Sequence, residues 1–441
     1  GIALDARGTR VAEGPARPGV MNNTRVPRTI FWASLLMLVA SVPGIVERVL
    51  AGQLATQTPE AMPWGLWVAA YTFFSGISAG AFAVVALPYV FGYRRFRPLA
   101  PFALLVAMVS LAAALLYVMA DLGRPERSWH IVLTPNFKST MAWVVALYMV
   151  YGSTLVGLIV LALRPGWQKR ADDTGSRVAR LLSLGYDGSE KSEQRNERVL
   201  SIASCVGLVL SLGLAGGVGA LISAIGGRGL WHSGLFPITF TVSALLSGIS
   251  FVLGGASLLG VGGQAFKQTL VLLGRMIGYL LIGQIFILTA EGLIIINGGI
   301  PSHLNIVRAI AAGPYPWVFW GMQVGLGIVA ALLLLFLPKR PTLAGTSVAA
   351  LFVLIGVCAF RLNFVIPELA MAEFAMSEGH AQVYVPRAVE WELVVFGVGL
   401  VGLMLVAGRK YLPVFEADTA REFDKAARAQ QVASELELQG T

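Results

Sequence analysis

Ten apolar stretches, each long enough to cross a bilayer, leave this chain few ways to fold. They cover 29–51, 64–91, 100–121, 138–163, 198–226, 234–262, 269–297, 315–337, 343–366 and 387–408. A helix needs about 20 such residues, because no water is available inside the membrane to pair an open backbone. Transmembrane strands would alternate polar and apolar residues, which these uninterrupted runs do not, and this argues against a β-barrel. The expected architecture is therefore an all-α integral membrane protein with ten transmembrane helices. The composition, 56% hydrophobic and 13% charged, belongs to that class and not to a soluble domain of 441 residues.

The net charge of +9 could suggest nucleic acid, but its placement points to a lipid bilayer. Lys and Arg crowd the N-terminal tail, the loop with Arg94, Arg95 and Arg97, the 164–198 loop and the C-terminal tail, with Lys267, Lys339 and Arg340 on the same side. The opposite side holds Arg124, Arg127, Lys138, Arg228, Arg308, Arg361 and Arg387. By the positive-inside rule both termini face the cytoplasm and the Asp121–Lys138 loop faces outward. The expected location is the cell inner (cytoplasmic) membrane, crossed many times. The first apolar run reads as an anchor, since no short apolar core ending in small residues precedes it.

A repeat runs along the chain. Ser75-Gly-Ile-Ser78 in the second span recurs as Ser247-Gly-Ile-Ser250 in the sixth, and Ala120-Asp121 recurs at nearly the same offset as Ala290-Glu291. Both members of each pair run in the same direction. Two parallel four-helix bundles follow, spans 2–5 and spans 6–9, flanked by spans one and ten. The expected segments are a basic tail (1–28), a first helix and outer loop (29–63), the first bundle (64–226), the second bundle (227–366), an outer loop with the tenth helix (367–408) and a cytoplasmic tail (409–441). After Pro413 an Ala/Glu/Arg-rich stretch reads as a surface helix.

Redox centres leave signatures that are missing here. Cys205 and Cys358 lie in separate spans with no Cys-x-x-Cys pair, which argues against an iron–sulfur or zinc site. A membrane haem needs paired histidines within the spans, whereas His130, His232, His303 and His380 fall in outer loops or at span ends.

Ionisable groups beside lipid are costly and become the first functional candidates. The densest cluster is Asp121-Leu-Gly-Arg-Pro-Glu-Arg-Ser-Trp-His130, between spans three and four. Asp121 with Arg124 reads either as a salt bridge that ends a helix or as a proton-accepting carboxylate beside a small-molecule pocket. Glu291, inside span seven, would be protonated or bound to a polar partner. Arg361 with Asn363 in span nine, and Glu390 and Glu392 at the start of span ten, read as partners in ion pairs between helices. Pro63-Trp-Gly-Leu-Trp67 opens span two, with Tyr71 one turn deeper. Trp67 and Tyr71 share a helix face and form either an interfacial aromatic belt or one wall of an apolar slot with polar ends. Such a slot suits a quinone, whose carbonyls need donors and whose reduction needs protons.

Together these elements resemble the NrfD family, the membrane subunits of polysulfide reductase and related respiratory complexes. The resemblance rests on Pro63–Trp67 running into Tyr71 and Gly76-Ile-Ser-Ala-Gly80, on Asp121-Leu-Gly-Arg-Pro125 with Trp129-His130, and on Pro135-Asn-Phe-Lys-Ser139 leading to Trp143. Ten spans, with Tyr384-Val-Pro386 before Glu390, look like the longer branch found in hydrogenase-2-type complexes and alternative complex III. The resemblance implies a quinone site near the outer surface, with menaquinone or ubiquinone as substrate and no haem or iron–sulfur cluster in this chain. It implies a ferredoxin-like iron–sulfur partner on the outer face, leading to a molybdopterin, hydrogenase or multihaem cytochrome subunit.

The quinone pocket it implies is lined by Trp67, Tyr71, Asp121, Arg124, His130, Ser139 and Trp143. Asp121 and His130 would relay protons there, and Asp121 and Glu291 would stand on a proton pathway. Some members carry a histidine early in span two, where this chain has Val68, Ala69 and Ala70. Tyr71 is then the expected donor to the inner carbonyl. A transporter or proton channel without a redox role is the alternative, suggested by the repeat and by Glu291.

Overall fold

The computed structural model describes residues 25–56, 58, 64–225, 231, 233–260, 263–313, 315–370 and 384–415. Among these, ten helices are long and apolar enough to cross a membrane. They are α1 (Val26–Ala55), α2 (Leu66–Tyr89), α3 (Arg94–Asp121), α4 (Thr140–Thr174), α5 (Glu190–Ser223), α6 (Phe236–Leu259), α7 (Gln264–Gly298), α8 (Val318–Phe336), α9 (Leu343–Leu369) and α10 (Ala388–Tyr411). The chain is a multi-pass helical membrane protein. His232, His380 and the expected surface helix of the tail, from 416 onward, lie outside the described residues.

Nearly every residue of α2 is buried, and the helix packs on α3, α5, α6 and α9. Lipid provides no hydrophobic drive for one helix to join another, so the pairing has to come from close packing and hydrogen bonds. Small side chains permit it. A Cβ on Gly80 would run into the Ala244 carbonyl and Gly248, and one on Gly248 would meet the backbone of Gly80 and Ala81. Gly76 likewise faces Ala244. The helices α2 and α6 thus touch about one helical turn away from the register that aligns their Ser-Gly-Ile-Ser sequences.

Around this contact, α2 packs on α3, α3 on α4, α4 on α5 and α5 back on α2. In the second half, α6 packs on α7 and α9, and α9 on α7 and α8. The first helix lies along α10, which in turn lies on α3. Hydrogen bonds fasten these pairings. Ser78 donates to the Ala107 carbonyl at 2.7 Å, Tyr151 donates to the Ser78 carbonyl at 3.1 Å, and Tyr117 donates to the Val394 carbonyl at 2.9 Å. The first of these spans α2 and α3, the second α4 and α2, and the third α3 and α10.

Short 3-10 turns end α1 at Gly52–Ala55 and open α3 at Arg94–Leu99, and a longer stretch of α8 departs from α-geometry. Val318–Ala330, most of α8, is π-helical, and Gly327 and Gly356 bring its backbone against α9. Such π-segments cluster at functional sites.

Candidate functional site

Asp121 is the last residue of α3, because Leu122 turns extended and Pro125 follows shortly after. The end of a helix leaves its last carbonyls without partners. Here they are taken by α1. Arg48 donates from Nε and Nη2 to the Ala120 carbonyl at 3.1 and 2.8 Å, and from Nη2 to the Leu122 carbonyl at 2.9 Å. Gln53 Nε2 donates to the Asp121 carbonyl at 2.6 Å. A cation at this position also complements the negative end of the helix dipole.

The Arg48 guanidinium lies over the Trp67 ring, 5.5 Å from its centroid. Trp67 is fully buried, and its Nε1 donates to the Glu390 carbonyl at 3.1 Å. The Glu390 carboxylate accepts the Tyr384 hydroxyl and the Leu66 N–H, the latter at 3.3 Å. The Leu66 N–H also reaches the Tyr384 oxygen at 2.6 Å. Burial, reinforced by the adjacent Glu390 carboxylate, raises the Tyr384 pKa and keeps this hydroxyl protonated as a donor. The start of α2 is therefore capped by residues from the far end of the chain. A Cβ at Gly65 would come against the Tyr384 hydroxyl and the Glu390 carboxylate and displace them.

Tyr71, one turn further along, is buried and within electrostatic reach of Tyr148, Asp121 and Arg361. Asp121 is half-buried, and the charges that act on it are Glu390 and Arg48. Trp67, Tyr71 and Asp121 thus share one region, walled by α1, α2, α3 and α10.

The other expected site residues stand apart from that region. Arg124, His130, Ser139 and Trp143 are all exposed. His130 stacks on Trp129 with centroids 3.8 Å apart, and Trp143 donates to the Phe137 carbonyl at 2.8 Å. Ser139 precedes the first turn of α4, and Arg124 precedes the short turn Pro125–Arg127. Arg124 and His130 thus lie on the connection that follows Asp121, and Ser139 and Trp143 at the start of α4.

Two sequence-based expectations need correction. Arg361 is buried inside α9 rather than at an outer loop, and it forms no ion pair among the described residues. Its Nη2 donates to Ser243 at 2.7 Å, and its face lies 3.8 Å from the Phe240 ring centroid. Asn363 donates to Gln323 at 2.8 Å, and Glu390 serves the cap described above. Neutral partners replace ion pairs because each of these groups meets a helix carrying hydroxyls, amides or rings. The salt bridges present among the described residues join Arg97 to Glu193 and Glu197 at the opposite end of the bundle.

Glu291 in α7 is buried and accepts a hydrogen bond from Thr239 at 3.0 Å. Sequence reasoning missed Arg48, Gln53, Tyr148, Arg361 and Tyr384 as members of the site. A charge within a span was the available signal for Arg48 and Arg361. Tyr384 stood in the Tyr384-Val-Pro386 segment of the family resemblance without a role, and nothing in the local sequence marks Gln53 or Tyr148.

Comparison with known proteins adds a family. Residues 54–372 match the family model described as polysulphide reductase, NrfD. A selenate reductase subunit of Mesobacillus selenatarsenatis is 29% identical over 86% of this chain and 92% of its own length. A putative dimethyl sulfoxide reductase membrane subunit of Halobacterium salinarum is 27% identical over 90% and 94%. The menaquinone reductase integral membrane subunit of Nitratidesulfovibrio vulgaris is 23% identical over 85% and 89%.

Proposed function

The chain belongs to the NrfD (polysulphide reductase) family, and from that premise we propose that it is the quinone-interacting membrane subunit of a respiratory oxidoreductase complex in the cell inner membrane. The observation that carries the proposal is the setting of Asp121. A half-buried carboxylate at a helix end, with Arg48 and Gln53 holding the backbone beneath it, lies beside a buried tryptophan and a buried tyrosine. An apolar wall with a fixed proton-exchanging group at one end is what a quinone headgroup requires.

Reduction of a quinone takes up two electrons and two protons, and oxidation of the quinol releases them. Electrons pass to or from a ferredoxin-like iron–sulfur subunit docked on the outer face, which connects to a catalytic subunit of molybdopterin, hydrogenase or multihaem type. Asp121 exchanges protons with the headgroup, and exposed His130 passes them to outer water. Trp67 and Tyr71 wall the ring. Arg48 takes the charge-balancing role beside Asp121, while Arg124, Ser139 and Trp143 serve the rim that meets headgroup and partner. Glu291, hydrogen-bonded in the second bundle, stands with Asp121 on a proton pathway.

The test is Asp121→Asn in the intact complex. Quinone-coupled turnover is expected to be abolished while the complex still assembles and its partners still co-purify. Unchanged turnover would sink the proton-exchange role. A wild-type protein that purifies alone and shows no quinone-site inhibitor binding would favour the transport alternative.

A further inference from the structure

Arg361 has donors with nothing to donate to. Its side chain is 2% exposed, and of its nitrogens Nη2 alone meets an acceptor, Ser243. Nε and Nη1 have none among the described residues. The Phe240 and Phe360 rings, 3.8 and 5.2 Å from the guanidinium carbon, offset part of the cost of burying the charge. The N–H groups of a guanidinium lie in its plane, so a ring against its face does not satisfy them. A buried cation with open donors and no carboxylate bonded to it is expensive unless an acceptor is supplied.

The Tyr148 hydroxyl is buried beside the Ser75 hydroxyl, with no hydrogen bond of good geometry among the described residues. Tyr71 has both Tyr148 and Arg361 among the groups acting on it, together with Asp121. Tyr71 of α2 is thus within electrostatic reach of a buried donor on α4, from the same half of the chain, and of another on α9, from the other half. Ser243 and Phe360 also line a cavity of about 30 Å³ between α6, α7, α8 and α9, bordered by Gln284 and Gln323. That volume suits water and cannot admit a six-membered ring with two carbonyls.

We infer that Arg361 and Tyr148 hold the inner carbonyl oxygen of the quinone, across the contact between the two repeats. The headgroup then spans from Asp121 at its outer oxygen to Arg361 and Tyr148 at its inner one, with Tyr71 alongside. Two donors on one oxygen favour the quinone over an apolar lipid tail, and a fixed cation favours whichever redox form places more negative charge on that oxygen. This assignment rests on the quinone reading above, and it ties binding to the alignment of the two halves.

The experiment uses the whole complex and titrates it with a fluorescent hydroxyquinoline N-oxide, a quinone-site probe whose emission is quenched on binding. Arg361→Gln is expected to raise the probe Kd by roughly tenfold or more and to raise KM for quinone more than it lowers kcat. Arg361→Lys, which keeps the charge but not the fork, is expected to recover part of the loss. Tyr148→Phe deletes one oxygen from an otherwise identical ring, so it tests the inference independently should Arg361→Gln fail to assemble. Its expected effect is a several-fold rise in Kd. Wild-type probe affinity in either assembled variant, Arg361→Gln or Tyr148→Phe, overturns the inference and leaves the quinone reading standing. A wild-type complex that does not quench the probe overturns the quinone reading and this inference with it.

Discussion

Arg48 does more for the site than any acidic residue in it. It reaches from α1 to the last carbonyls of α3 and lies over Trp67, so one side chain sets the depth of Asp121 and the position of the ring wall. Hydrogen bonds from a charged donor to a partly buried carbonyl contribute about 1.5–3 kcal/mol, and replacing the donor leaves those carbonyls open. Arg48→Met is expected to lower stability by about 1–3 kcal/mol, read as a lower melting temperature in detergent, and to reduce turnover. Arg48→Lys should fall short of rescue, because an ammonium cannot fork across two carbonyls as a guanidinium does. A wild-type melting temperature in Arg48→Met would show that Gln53 alone secures the helix end. At this scale the sequence was legible for Asp121, Trp67 and Tyr71, whose motifs are local. Arg48 was visible as a charge in a span, but its partners lie far along the chain, so no spacing rule connects them.

The helices meet through missing side chains. Gly80 and Gly248 let α2 and α6 approach until their backbones are in contact, and the inner part of the proposed site is assembled across that approach. Gly80→Val would force a branched side chain against the Ala244 carbonyl and push the helices apart. The expected result is loss of assembled complex on size-exclusion chromatography, since backbone cannot yield as a flexible side chain can. Gly283→Val is the control: the position in α7 has nothing within 4 Å of a new Cβ, and the assembled fraction should match wild type. Equal behaviour of the two variants would refute the close approach. The sequence displayed these glycines as a class, together with others, such as Gly157 and Gly254, where an added Cβ would meet nothing. The few that the fold requires became distinguishable when the facing helix was known.

Across the whole molecule, the polar residues are divided unevenly between the two halves. The first carries Asp121 and its capping network at one membrane surface, while the second carries Glu291, Gln284, Gln323, Asn363 and Arg361 inside its helices. The basic residues, in contrast, gather at the opposite surface, with Arg94, Arg95, Arg97 and the 164–198 connection at that end. That asymmetry predicts the orientation. Alkaline phosphatase fused after Lys138 should be active, and a fusion at the C-terminus should be inactive. The reverse pattern would place the proposed quinone site on the cytoplasmic side and rule out an outer iron–sulfur partner. Helix number and membrane class were determined by the sequence alone, because a bilayer demands long, uninterrupted apolar runs whatever the tertiary contacts. Helix limits were not: α4 continues to Thr174 and α5 begins at Glu190, both inside the polar segment read as the 164–198 loop, because a helix extends past the apolar run into water. The acidic end of α3, followed by Gly-Arg-Pro, was equally local. Which charge faces Asp121, what caps α2, and where Arg361 points its donors were decided only by tertiary structure. Those contacts join residues tens to hundreds of positions apart, and hydrogen-bond geometry across helix interfaces leaves no periodic trace in the chain.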